Sequence, residues 1–422
     1  MKNNTLFCFW LYFMFIFFET HAQNTQKDTL KLNFEEAKKI LLQQNLKLIS
    51  SYYDISLAEA DVIQAKLWRN PYFLWNQDMF SIAKNDYFNF QNQFLVQIEQ
   101  VFSISGKHLW GVRVAKLGIE QNKLQLQDVL RGLLYELGEK YIQLQMTQKK
   151  QVLYKQIMEK YNKLIESAEN KLRVGAIAKT EVIRLKSERV TILSDEIHNQ
   201  NEIIEATSSI RQLLNLRENI EIIAQNTLEI KEDDIKIDEV LNQALEARPD
   251  IKLAKNNIQT QKANLSLQKA QAMPDLKLGY QPSDKGSNYV RPYQGMVFEM
   301  SVPIFDRNQG NIKRAKTQIT QAEINQAQVD NTIRNEVANS FSQWINTRKG
   351  FQNFTTDLMN DMQEISKNAD LNYDNRNINL LQYIDLQRIY TQNQLQYIDL
   401  QREYRHAVNR LNFSVGKEIL NF

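Results

Sequence analysis

Apolar positions along this chain follow two periods, and the two periods alternate twice. Leu130, Leu133, Leu137, Tyr141 and Leu144 step by three and four, as do Ile312, Ala315, Ile319, Ala322, Gln326, Val329 and Ile333. Such spacing holds a narrow stripe in register against a neighbouring helix. The segment Leu-Gln-Tyr-Ile-Asp-Leu-Gln-Arg stands at 381–388 and again at 395–402, two heptads apart. Gln, Asn, Lys and Glu fill the rest of these helices, so much of their surface meets water. A helix from Val112 to Arg173 would run roughly 90 Å at 1.5 Å per residue, longer than a compact globule can hold.

The second period is two. Phe94, Val96 and Ile98 alternate with Leu95, Gln97 and Glu99; Met296, Phe298, Met300 and Val302 alternate with Val297, Glu299 and Ser301; Leu276, Leu278 and Tyr280 alternate with Lys277, Gly279 and Gln281. Alternation predicts strands with one apolar and one more polar face. The first strand pair is dense in aromatics, and Pro274, Pro282, Pro292 and Pro303 flank the second.

The punctuation repeats at fixed distance, which predicts an internal duplication. Pro71 and Pro274 stand 203 residues apart, as do Val101-Phe102 and Ile304-Phe305, while Ala115-Lys116 and Ala315-Lys316 are separated by 200. Two repeats follow, 23–225 and 226–422. Each has a helical lead-in (Phe34 to Lys66; Ile237 to Gln271, broken at Arg248-Pro249-Asp250), a strand pair (about 72–104; about 275–305) and a long helical hairpin (about 108–216; about 310–415). Proline ends the lead-ins because it lacks a donor and clashes with the preceding turn.

Composition sharpens this. Lys2 followed by the apolar run Leu6 to Phe18 and by Thr20-His21-Ala22 predicts a secretion signal over 1–22, cut before Gln23. That run is shorter than the roughly 20 residues a spanning helix needs. Cleavage would remove Cys8, the one cysteine, leaving no disulfide and no thiolate ligand. The net charge of +3 is near balance, and basic residues are spread rather than clustered with aromatics, so no nucleic-acid partner is expected. Any membrane insertion must be by strands, which must close into a barrel because orphaned backbone groups in hydrocarbon cost several kcal/mol each. Barrels start at about eight strands, and this chain supplies four. The lipid-facing positions are then Phe94, Val96, Ile98, Met296, Phe298 and Met300.

Duplication, two strands plus a long hairpin per half, and a short lead-in together resemble the TolC-like outer-membrane efflux factors. The resemblance rests on Ala247-Arg248-Pro249-Asp250-Ile251, Met273-Pro274-Asp275-Leu276, Val302-Pro303-Ile304-Phe305-Asp306 and Arg173-Val174-Gly175, in that family's order and spacing. It implies an α+β fold in which a homotrimer builds a twelve-stranded barrel in the outer membrane, continuous with a helical tube across the periplasm. It further implies a passive conduit fed by an inner-membrane pump of the resistance-nodulation-division type through a periplasmic adaptor. Asn70-Pro71, Gln97-Ile98-Glu99-Gln100 and Ser105-Gly106-Lys107 are similar to the subfamily paired with heavy-metal resistance pumps.

The resemblance also assigns sites. The first hairpin turn, Arg173, Val174, Gly175 and Ala176 with Thr180, resembles the family's adaptor-docking tip, although Gly175 also suits a plain turn. The second turn has Arg376 where the family usually has Gly, with Asn375 or Asn377 expected to take the left-handed conformation. Family members carry acidic rings at the pore entrance; the matching positions are Gln382 and Asp385, so half of that charge is kept.

No enzyme chemistry emerges. His108, His198 and His406 are not at metal-ligand spacing, and no cofactor is expected. Gly175-Ala176-Ile177-Ala178-Lys179-Thr180 lacks the second glycine of a phosphate loop. The alternatives are a periplasmic adaptor, which needs lipoyl-like β-domains around one hairpin, a type I secretion exit duct, and a structural coiled-coil surface protein.

Overall fold

A computed structural model describes residues 29–77, 79–81, 85–87, 94–217, 220–225, 235–284, 291, 293–354 and 356–421. The expected secretion signal lies outside these residues. The first half runs β1 (Thr29–Leu32), α1 (Phe34–Gln44), α2 (Leu46–Lys66), β2 (Tyr72–Gln77), the short β3 (Phe80–Ser81) and β4 (Asp86–Tyr87), β5 (Phe94–Phe102), α3 (Lys107–Arg173) and α4 (Lys179–Leu213). The second half runs β6 (Glu221–Ala224), α5 (Ile237–Ala247), α6 (Pro249–Gln271), β7 (Leu276–Asp284), β8 (Tyr293–Met300), α7 (Gln309–Gln352), α8 (Thr356–Asp374) and α9 (Leu380–Val415).

The duplication is visible in the backbone. Positive φ recurs in pairs about 200 residues apart: Gly106 and Asn308, Gly175 and Arg376, Asn215 and Gly416. The first pair opens a long helix, the second turns a hairpin, and the third ends the returning limb.

The antiparallel sheet has the order β2-β5-β7-β8. Each strand continues into a helix, and α2, α3, α6 and α7 pack side by side in the same order. One layer thus runs from sheet to helices. The 67-residue α3 spans roughly 100 Å at 1.5 Å per residue. The seam residues Leu133, Leu137, Tyr141 and Leu144 are buried, as are Ala315, Ala322 and Ile333.

Three features depart from the sequence expectation. The first lead-in is not one helix: Asn45 breaks it, accepting from Leu48 N at 3.0 Å and donating to Leu213 O at 2.8 Å. It caps α2 as the Arg248 break precedes α6. Second, the outgoing limb of the second hairpin is two helices, the first ending at Gln352 and the second starting at Thr356. There Phe351 stacks on Tyr397 and Tyr404, and Phe354 packs on Tyr397, so ring packing across the hairpin competes with helix continuation. Third, a small parallel sheet joins β1 to β6. The Gln148 amide completes its edge, accepting from Ala224 N at 3.0 Å and donating to Ile222 O at 2.7 Å. Tyr141 Oη lies 2.9 Å from both Leu32 O and Gln225 O, and burial pushes its phenol up to about 12.

The core sits in two places. The larger cluster lies around Tyr141, Ile210, Ile222, Trp344, Val408 and Leu411, where both hairpins and both lead-ins converge. The smaller joins the far ends of the hairpins through Ile157, Tyr161, Ile165, Leu185, Tyr383 and Ile384. Arg248 ties the second lead-in to the main cluster. Its buried guanidinium donates to Asp250 Oδ1 at 3.1 Å, to Glu336 Oε2 at 2.6 Å and to Ser414 O at 3.0 Å. Burial alone would raise the Asp250 carboxyl, but the bonded guanidinium holds it below its ordinary range.

Candidate functional site

Strand register decides what each face of the sheet carries. Phe73 pairs with Ile98 and Trp75 with Val96; Ile98 pairs with Tyr280, and Tyr280 with Met296; Leu278 pairs with Phe298, and Leu276 with Met300. Paired residues share a face, so Val96, Ile98, Met296, Phe298 and Met300, together with Phe94, join one apolar surface across all four strands. Much of it is open: Met296 is 75% and Phe298 71% exposed.

The opposite face is polar and internally bonded. Lys277 Nζ lies 2.6 Å from Glu299 Oε1, Gln281 Nε2 donates to Gln97 Oε1 at 2.9 Å, and Gln97 Nε2 donates to Glu99. Alternation places these residues on one face, but only register joins them into a network. Pro282 sits where the β5–β7 pairing slips, a bulge that tolerates its missing donor. Two edges of the sheet, β2 and β8, have no neighbour among the described residues. At the strand-to-helix junction Lys107 Nζ lies 2.7 Å from Asp275, clamping the two halves together.

The hairpin turns share one geometry. Gly175 N donates to Leu172 O and Ala176 N to Lys171 O, both at 2.9 Å, the bonding of a Schellman motif with Gly175 left-handed at φ 72°. Val174 is 79% exposed at the apex, and Ala176 and Thr180 are also exposed. The second turn repeats the pattern: Arg376 N donates to Tyr373 O at 3.1 Å and Asn377 N to Asn372 O at 2.8 Å. This corrects the expectation for Asn375 and Asn377. The left-handed residue is Arg376 itself, at φ 62°, because the motif fixes that position whatever side chain it bears.

The entrance positions are separately engaged. Gln382 closes a capping box with Asn379, its Oε1 accepting from Asn379 N at 3.0 Å. Asp385 is exposed and pairs with Arg388 at 2.6 Å. Nearby, Asp370 joins the two hairpins: Lys160 of α3 lies 2.7 Å away, Tyr383 Oη donates to it at 2.8 Å and Gln387 Nε2 at 3.1 Å. Nothing in the heptad pattern marked Asp370, since its partners lie on two other helices, α3 and α9. Among the described residues no group of His, Cys, Asp and Glu could hold a metal ion, and no helix is long and apolar enough to cross a membrane.

Residues 240–417 match the family described as outer membrane efflux protein. No curated protein matches the sequence. Among solved structures, the chain is similar to the outer-membrane channel CmeC of Campylobacter jejuni, with TM-score 0.76 and 14% identity over 91% of this chain and 85% of that one. It is likewise similar to the MtrE outer-membrane channel of Neisseria gonorrhoeae, solved in its open state, with TM-score 0.73 and 14% identity over 92% and 89%. CusC, studied for folding and transmembrane channel formation, gives TM-score 0.74 and 16% identity over 91% and 92%. At these identities the likeness establishes the fold: two long hairpins on a four-stranded sheet.

Proposed function

We propose that this chain is the outer-membrane channel of a tripartite efflux system, a passive conduit across the periplasm and not an enzyme. The observation that carries the reading is the sheet. It is apolar on one face, hydrogen-bonded and charged on the other, and open at both edges among the described residues. In a bilayer those edges need partners, and β8 of one copy beside β2 of the next supplies them. Three copies give a twelve-stranded barrel with its polar face lining the pore, and the helical layer extends the same wall into the periplasm. Transport then needs a wide polar lumen and tips that dock, and no catalytic residue.

In this reading 1–22 is removed on secretion, and Arg173, Val174, Gly175 and Ala176 with Thr180, and the turn Asn375-Arg376-Asn377, meet a periplasmic adaptor. An inner-membrane pump of the resistance-nodulation-division type drives the cargo, and the sequence resemblance supports heavy-metal resistance as its class. Gln382 and Asp385 lie toward the pore entrance, where the Asp385 charge is shared with Arg388. The test is at the first tip. Val174→Asp puts a charge in a small apolar contact, and Gly175→Trp strains a left-handed position and blocks close approach. Both variants should reach the outer membrane as trimers, yet fail to restore efflux to a deletion strain or to crosslink to the adaptor. Normal efflux by both would reduce the tip to a turn and remove docking from the proposal.

A further inference from the structure

Two cations at the hairpin turns stand where local structure disfavours them. Arg376 holds the left-handed position of its turn at φ 62°, and Gly175 holds the equivalent position at φ 72° with no side chain to strain. The turn itself gives the guanidinium no part. The bonds that close it run between backbone atoms, from Arg376 N to Tyr373 O and from Asn377 N to Asn372 O. Lys179 is the first residue of α4, at the positive end of its dipole, and Ala178 before it supplies no side-chain cap. A strained residue kept at an exposed position points to function rather than to stability.

The two turns lie side by side. Leu172 and Ile177 flank the first, Tyr373 and Ile378 the second, and all four pack on the same distal core cluster. Lys171 Nζ sits 5.1 Å from the centre of the Tyr373 ring. Arg173, Lys179 and Arg376 are all exposed. Arg173 donates to Asn170, a neutral amide. Two carboxylates below the turns are engaged elsewhere: Glu169 by Lys186 at 2.6 Å and Asp370 by Lys160 at 2.7 Å. From Lys171 to Glu181 and from Asp374 to Asn379, the cations Lys171, Arg173, Lys179 and Arg376 stand against Glu181 and Asp374 alone, a surplus of two positive charges per copy. Both carboxylates belong to the helices, so the linking residues between helix ends carry only Val174 and its small neighbours, amides and cation.

We propose that the protein docked by these turns presents an acidic surface, Asp and Glu side chains set around a small apolar contact, and that Arg173, Lys179 and Arg376 pair with it. The inference rests on the docking reading above and adds the chemistry of the partner. A protein fits better than an anionic membrane. Val174 and Ala176 offer one small apolar contact, and Asn375 and Asn377 offer directional amides, whereas neither turn has an apolar face broad enough to enter lipid. Three copies bring three such surpluses to one end of the tube. That field speeds encounter with an acidic partner and fades as salt rises.

The test uses the full chain, as purified trimer and in the deletion strain. Arg376→Gly removes the charge and relieves the turn, so a loss of docking cannot be put down to a weakened fold, and Arg376→Lys keeps the charge. The triple variant Arg173→Gln, Lys179→Gln, Arg376→Gly should still form heat-modifiable trimers. At roughly 0.01 M salt it should associate with the purified adaptor about tenfold more slowly than the parent, and the gap should close toward about 1 M. Arg376→Lys alone should match the parent, and efflux should fall with the triple variant. Equal association by parent and triple variant at low salt, with Val174→Asp still unable to dock, would overturn the acidic partner and leave the docking reading standing. Normal efflux by Val174→Asp and Gly175→Trp would remove both. Loss of binding to phosphatidylglycerol vesicles with adaptor association unchanged would assign the cations to a membrane surface and overturn the proposal.

Discussion

An arginine moved by one residue along β8 should separate assembly from failure. Met296 closes the middle row of the sheet, Phe73, Ile98, Tyr280 and Met296, on the apolar face. Met296→Arg would place a guanidinium near the middle of the hydrocarbon, at about 2–4 kcal/mol per copy. In a shared barrel three copies bear it at once, so roughly 6–12 kcal/mol falls on the trimer. Since every 1.4 kcal/mol is about tenfold in an equilibrium constant, assembly should collapse. Val297→Arg carries the same charge to the opposite face. Val297 stands across from Gly279, whose other close neighbour is Glu99, so the new cation meets water and a carboxylate. Its cost should stay within about 1 kcal/mol, typical of surface changes. The assay is the amount of heat-modifiable trimer in outer-membrane fractions on unheated gels. Equal trimer from both variants would refute the facing of the sheet; a loss confined to Val297→Arg would reverse it.

Further outcomes follow from the helical region. Arg248→Ala should cost about 3 kcal/mol, the low end for breaking a buried ion pair, because Glu336 and Asp250 keep partial access to water; thermal melting of the helical signal in detergent measures it. Arg376→Gly should raise stability by up to about 1 kcal/mol, relief of the left-handed penalty less the greater freedom of unfolded Gly, and a lower melting temperature would contradict the turn assigned here. Tyr141, Tyr154 and Tyr161 are each pushed up by burial to about 12 from 10.0, so the folded state holds protons the unfolded state loses. Stability should therefore fall as pH rises from 10 toward 12, and Tyr141→Phe should flatten part of that fall. Asp250, held below its ordinary range, works at the other end: its contribution is present above the ordinary carboxyl value of about 4 and fades as pH drops through the folded value, a loss that Arg248→Ala should remove.

The sequence by itself determined the element types and their doubling. Heptad spacing through Leu133, Leu137 and Tyr141 requires a long helix against a neighbour, and alternation through Met296, Phe298 and Met300 requires a strand with two unlike faces, because both follow from local backbone geometry. The positions of the turns were legible for the same reason: Gly175 is the residue that reaches a left-handed φ without cost. Register between distant segments was not legible. That Lys277 meets Glu299, that Asp370 gathers Lys160, Tyr383 and Gln387, and that Gln148 finishes the β1–β6 sheet all depend on which strands and helices lie side by side, and no local propensity encodes a partner on another element. Arg376 makes the point most sharply. Judged alone it is a poor left-handed residue and its Asn neighbours are better ones. The Schellman bonds to Tyr373 and Asn372, fixed by where α8 stops, put the strained φ on Arg376, because tertiary packing of the hairpin outweighs a preference of about 1 kcal/mol.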